Sequence, residues 1–234
     1  TVALIVQCFD HISGAQLNPT VTLARALGGH ESAGRALALA AAQLAGALLG
    51  AAAAAALGAA PAACLTRPAD GVAPYQAAVV EAALGGCLAL ANLAAWDERT
   101  RRLRDSWPLR IGLSVAALTF AAGEVSGASM NPVRSFAPAL LAARWEHQWV
   151  YWVGPLSGSC VCTALYRCVW RVPPARDSPC VQCARCAQCV QCARCVQCVR
   201  CAQCAHSAPP ARTAEPDCTR LSDKAPAPIR LTTD

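Results

Sequence analysis

Charged residues are absent from two long stretches of the chain: Ala36 to Thr66 runs 31 residues without one, and Gln148 to Tyr166 runs 19. A helix rises about 1.5 Å per residue, so about 20 apolar residues cross a hydrocarbon core of about 30 Å. Apolar length, Gly and Pro punctuation and flanking charge predict four spans, at roughly 33 to 60, 74 to 96, 108 to 123 and 148 to 170. The first is almost entirely Ala, Leu and Gly, and its Gly46, Gly50 and Gly58 are expected to let another helix approach closely. A core helix of a water-soluble bundle reads similarly, but four such segments with short polar connections are harder to accommodate in water. Two shorter apolar segments, Asn18 to Leu27 and Asn131 to Leu141, reach only half a bilayer. Each begins with Asn-Pro, an asparagine cap followed by proline at the first helical position, so both are predicted to be helices that start abruptly.

Composition agrees with a bilayer as solvent. Of 234 residues 55% are apolar and 15% charged, with a mean hydropathy of +0.34, which excludes an ordinary disordered chain. The net charge is +6, yet the 20 basic residues include a single lysine, Lys224, and the arginines are dispersed. That pattern argues against nucleic-acid binding. Asp97 to Asp105, between the second and third spans, is dense in arginine and is expected to face the cytoplasm. Crossing the next two spans returns the chain to the same side, where an Arg-containing tail begins at Arg171. The first residue is Thr1 and no secretory signal can be read there, so the chain is expected to begin inside a larger protein.

The two short segments are copies of one another. Ser13 to Ala24 (SGAQLNPTVTLA) and Ser126 to Ala137 (SGASMNPVRSFA) share six of twelve positions at a separation of 113 residues. An internal repeat of short, interrupted apolar segments points to a binding site or pore near the bilayer midplane. These residues resemble the aquaporin, or major intrinsic protein, family, whose two Asn-Pro-Ala motifs correspond to Asn18-Pro19-Thr20 and Asn131-Pro132-Val133. Arg134 after the second motif, His11 before the first, Gln43 and Glu81 inside spans, and the run from His147 to Pro155 carry the likeness further. It covers about residues 1 to 170 and includes the insect branch that passes glycerol.

The resemblance implies an all-α membrane protein, a right-handed helical bundle with two re-entrant half-helices built as an inverted repeat. Residues 1 to 10 would be the end of the second span, with the first span missing. It implies a passive channel for water and small neutral solutes such as glycerol and urea, excluding protons and ions, with the lipid bilayer and a homotetramer as its setting. In such a pore Asn18 and Asn131 would donate amide N–H groups to passing molecules, while the half-helix N-termini disfavour cations. Thr20 and Val133 replace the family's alanines and are expected to be tolerated. A selectivity filter would comprise Arg134, Thr119 and Ala128. Water-selective relatives usually carry histidine where Thr119 stands, so a wider filter follows. Glu81, His11, Gln43 and Glu124 are expected to order the loops.

Nine cysteines from Cys180 to Cys204 stand at a strict period of three. Real zinc sites separate their ligand pairs by a folded loop, so the tail at 171 to 234 is expected to be disordered, cytoplasmic and without a metal site. No nucleophile, general base or cofactor loop forms a constellation, so neither an enzyme nor a cofactor is expected. The expected setting is the plasma membrane. A second reading is a non-conducting, truncated membrane protein whose Cys-rich tail binds metals or partners.

Overall fold

A computed structural model describes residues 1–170, and the predicted tail lies outside the described residues. All regular structure among them is helical: α1 Val2–Ser13, α2 Pro19–Leu27, α3 Ala33–Ala56, α4 Pro74–Trp96, α5 Trp107–Ser126, α6 Pro132–Ala142 and α7 Val150–Leu165. A turn of π-helix, Tyr166–Trp170, prolongs α7, and a 3-10 stretch, Glu98–Ser106, links α4 to α5. The helices α3, α4 and α5 are long and apolar enough to cross a membrane. The four predicted spans correspond to α3, α4, α5 and the last helix with its extension, and the two Asn-Pro segments to the short helices α2 and α6.

The helices start where the sequence gives them caps. Asn18 and Asn131 hold extended backbone ahead of Pro19 and Pro132, and each side chain accepts the N–H two residues on, Thr20 N at 2.8 Å and Val133 N at 3.2 Å.

Close packing falls elsewhere than the sequence suggested. Among the described residues, a Cβ on Gly46, Gly50 or Gly58 would meet nothing within 4 Å, and α3 buries none of its residues. Small residues run all round this helix, so glycine content alone does not mark the contact. Helices α4 and α7 instead approach backbone to backbone: a Cβ on Gly85 would lie 2.6 Å from the Pro155 carbonyl, and one on Gly154 2.7 Å from the Glu81 Cβ. Small residues at such crossings let two helices come within van der Waals contact in lipid.

Asp97, just past α4, ties the 3-10 stretch to the last helix. It accepts Arg99 Nε–H at 2.8 Å and the Tyr166 hydroxyl at 2.8 Å, while Arg99 also donates to the Trp170 carbonyl at 2.9 Å. The Arg99 guanidinium holds the Asp97 carboxyl well below the usual carboxylate range. A depressed pKa stabilises the fold above the ordinary value of about 3.9 and is lost as pH falls through the folded value. Asp97→Asn is therefore expected to lower the thermal unfolding midpoint at pH 6, and the gap from the parent should narrow once pH drops below about 3.9. A gap that is constant from pH 6 to pH 3 would remove the ionic role.

Candidate functional site

The two halves of the repeat fold alike. Gly14, Ala15 and Leu17 have φ of 81°, 37° and 58°, and their counterparts Gly127, Ala128 and Met130 have 83°, 40° and 54°. Left-handed backbone at four non-glycine residues costs of order 1 kcal/mol each. It persists because serines brace both turns: Ser13 Oγ accepts Ala15 N–H and Ser126 Oγ accepts Ala128 N–H, each at 3.2 Å.

The tips of α2 and α6 are cross-linked. Asn18 Nδ2 donates to the Met130 carbonyl at 2.8 Å, and Asn131 Nδ2 donates to the Leu17 carbonyl at 3.1 Å. Each asparagine thus caps its own helix with oxygen and holds the opposite loop with one N–H. That leaves the second amide N–H of each as the donor available to a passing molecule. The tips lie against one another, and only half of each amide is uncommitted.

Glu81, fully buried on α4, orders the second loop. Its carboxylate accepts the Ser126 hydroxyl at 2.8 Å, Ser129 N–H at 2.8 Å and Met130 N–H at 2.7 Å. Gln43 on α3 donates to the Thr22 hydroxyl at 2.8 Å, and Thr22 in turn donates to the Asn18 carbonyl at 3.2 Å. It therefore braces half-helix α2 rather than the loop. Two expected loop residues are not brought there. His11 is exposed in the last turn of α1, and its side chain makes no hydrogen bond or ion pair among the described residues. Glu124 is likewise exposed near the end of α5 without such a partner. Helical phase explains it: Ser126, two residues beyond Glu124, turns inward and does the bracing instead.

Several contributors were missed. Tyr151 is fully buried and donates its hydroxyl to the Ser126 carbonyl at 2.9 Å. Thr66, from the connection between α3 and α4, accepts the Ser135 hydroxyl at 2.9 Å, and Ser135 also contacts the Ser129 hydroxyl at 2.5 Å. The signal was available, since the repeat places Ser135 opposite Thr22 and both anchor a half-helix to a neighbouring segment. On α7, Ser159 donates to the Thr20 carbonyl at 2.9 Å. At the other end of α2, Arg167 donates to the Leu27 carbonyl at 2.7 Å, placing positive charge where a helix terminus is negative.

Thr20 is fully buried and its hydroxyl has no hydrogen-bond partner among the described residues. Valine, which the second motif carries at Val133, keeps the shape without the orphan group. Thr20→Val is expected to raise stability by about 1 kcal/mol, read from thermal unfolding, and a loss of stability would mean the hydroxyl has a partner.

A cavity of about 180 Å³ gathers Asn18, Asn131, Thr119, Ala128 and Arg134 along one wall set. Apolar side chains from α1, α4 and α5, among them Val6, Leu88 and Val115, complete it, and Asn92 is a further polar lining residue. Arg134 is exposed to this space and its Nη1 lies 3.5 Å from the Thr66 hydroxyl. The lining is thus largely apolar, with hydrogen-bonding groups concentrated at the half-helix tips and at Thr119 and Arg134. It presents hydrogen-bonding groups in series along an apolar wall, with an arginine that stays charged beside them.

Comparison with known proteins places this arrangement. The sequence model of the major intrinsic protein family matches residues 1–166. The probable aquaporin TIP4-2 of Oryza sativa subsp. japonica is 42% identical over 166 residues, covering 70% of this chain and 65% of that protein. The lens fiber major intrinsic protein of Oryctolagus cuniculus is 40% identical over 168 residues, covering 70% and 64%. The chain therefore spans just under two thirds of the length of these relatives. The X-ray structure of the aquaglyceroporin from Plasmodium falciparum aligns with a TM-score of 0.64 at 23% identity, covering 70% of this chain and 76% of that one, and so shares the fold. With a matching family model over most of its length and an inverted pair of capped half-helices at its centre, the chain belongs to the major intrinsic protein family.

Proposed function

We propose that this protein is a passive transmembrane channel for water and small neutral solutes, glycerol and urea among them, that excludes protons and ions and catalyses no reaction. The observation that carries this reading is the reciprocal bond between the tips, Asn18 to Met130 and Asn131 to Leu17, beside a cavity that also holds Thr119 and Arg134. Two helix N-termini directed at one point supply positive potential without a mobile charge. Two amide donors there hold a water by its oxygen, which breaks a proton relay. Thr119, Ala128 and Arg134 form the filter, and the small hydroxyl at Thr119 leaves room for solutes larger than water. The name of the rice relative, a probable aquaporin, supports a channel. Arginine density in the 97 to 105 loop supports a cytoplasmic face for it. The plasma membrane and a homotetramer are the setting we propose for the protein.

Stopped-flow swelling of vesicles in water, glycerol and urea gradients tests this. Protein-containing vesicles should exceed empty ones for water and glycerol, and Thr119→His should lower glycerol permeability by about tenfold while water falls far less. Parallel losses would sink the filter assignment. Permeabilities equal to those of empty vesicles would leave the non-conducting reading.

A further inference from the structure

A second cavity, of about 300 Å³, opens at the end of the bundle that carries the Arg-rich stretch. Four arginines from four elements line it: Arg25 near the end of α2, Arg35 in the first turn of α3, Arg104 on the 3-10 stretch and Arg110 in the first turn of α5. The opposing carboxylates are Asp10 in the wall and Glu31 beside it. Glu31 approaches Arg25 and Arg35 at 3.5 Å each, distances that bring attraction without hydrogen bonds. Arg25 Nε is buried with no hydrogen-bond acceptor among the described residues, while its guanidinium stacks 4.8 Å from the Trp96 ring centre. The Arg104 and Arg110 guanidiniums have neither ion pair nor hydrogen-bond acceptor among the described residues.

Four guanidiniums against two carboxylates leave two positive charges uncompensated in a recess, and low-dielectric walls concentrate such a field. Planar N–H forks from different directions match a tetrahedral group of oxygens better than a planar one. We propose that this cavity binds a phosphate-bearing anion, carried either by a soluble molecule or by a lipid headgroup. Gly14, Trp96 and Trp107 line both this cavity and the one at the half-helix tips, so the anion lies beside that second space. The site stands whether or not the protein conducts, because binding is read without a flux.

Trp96 and Trp107 supply the readout. Intrinsic fluorescence of the detergent-purified full chain is titrated with pyrophosphate, and in parallel with a short-chain bisphosphorylated inositol lipid against short-chain phosphatidylcholine. A saturable change with pyrophosphate, weakened about tenfold in R104Q/R110Q and unchanged in R102Q on the same stretch, supports a site for soluble phosphates. Saturation only with the inositol lipid, with the same variant pattern, supports a headgroup site. No saturation with either up to tens of millimolar overturns the proposal, as does unchanged affinity in the double variant while its unfolding midpoint stays at that of the parent.

Discussion

Glu81→Ala is expected to cost about 4 kcal/mol and to abolish any water permeability above that of empty vesicles. The carboxylate is fully buried and accepts from Ser126, Ser129 and Met130 within the loop that carries Asn131. Each donor left unsatisfied away from water costs about 1 to 3 kcal/mol. Met130 is also the residue whose carbonyl Asn18 holds, so a loosened loop releases the opposite half-helix as well. Glu81→Gln is the graded case. One oxygen remains, but an NH2 group then faces a backbone N–H, and the expected loss is about 2 kcal/mol. Thermal unfolding and stopped-flow water flux measured on both variants check this. If Glu81→Ala unfolds with the parent, the loop is held by other contacts.

Gly158→Ala is expected to prevent a folded product from accumulating, or to cost about 3 kcal/mol where one is recovered. A Cβ at Gly158 collides with the Ala82 carbonyl of α4, and backbone cannot step aside as the end of a flexible side chain does. Helices α4 and α7 must then separate, taking with them Glu81 on one side and Ser159, the anchor of the Thr20 carbonyl, on the other. Gly46→Ala on α3 is the matched control, since a Cβ there meets nothing. The pair should differ sharply in yield and unfolding midpoint. Equal behaviour would show that the α4 and α7 backbones lie farther apart than described.

Both predictions rest on residues that were legible to different degrees. Glu81 stood out as a single carboxylate inside an apolar span, because charge in hydrocarbon demands donors. Gly158 did not stand out, because small residues abound in every segment and only the geometry of a neighbouring helix tells which of them is crowded. His11 and Glu124 show the converse: their types and nearness to the motifs suggested loop bracing, whereas the helical phase turns both outward.

The sequence by itself determined the elements and the plan. Uncharged length set the spans, Asn-Pro set the abrupt starts of α2 and α6, and the repeat at a separation of 113 residues set that these starts are equivalent. Such features are local, encoded by capping, by the cost of burying charge and by periodicity. Tertiary structure alone decided how the asparagine amides are divided between capping and cross-linking, which serines and threonines brace the half-helices, and where backbones touch. These depend on groups far apart in sequence meeting within hydrogen-bond or van der Waals distance. A single chain records the residue type at each such point but not the partner it faces.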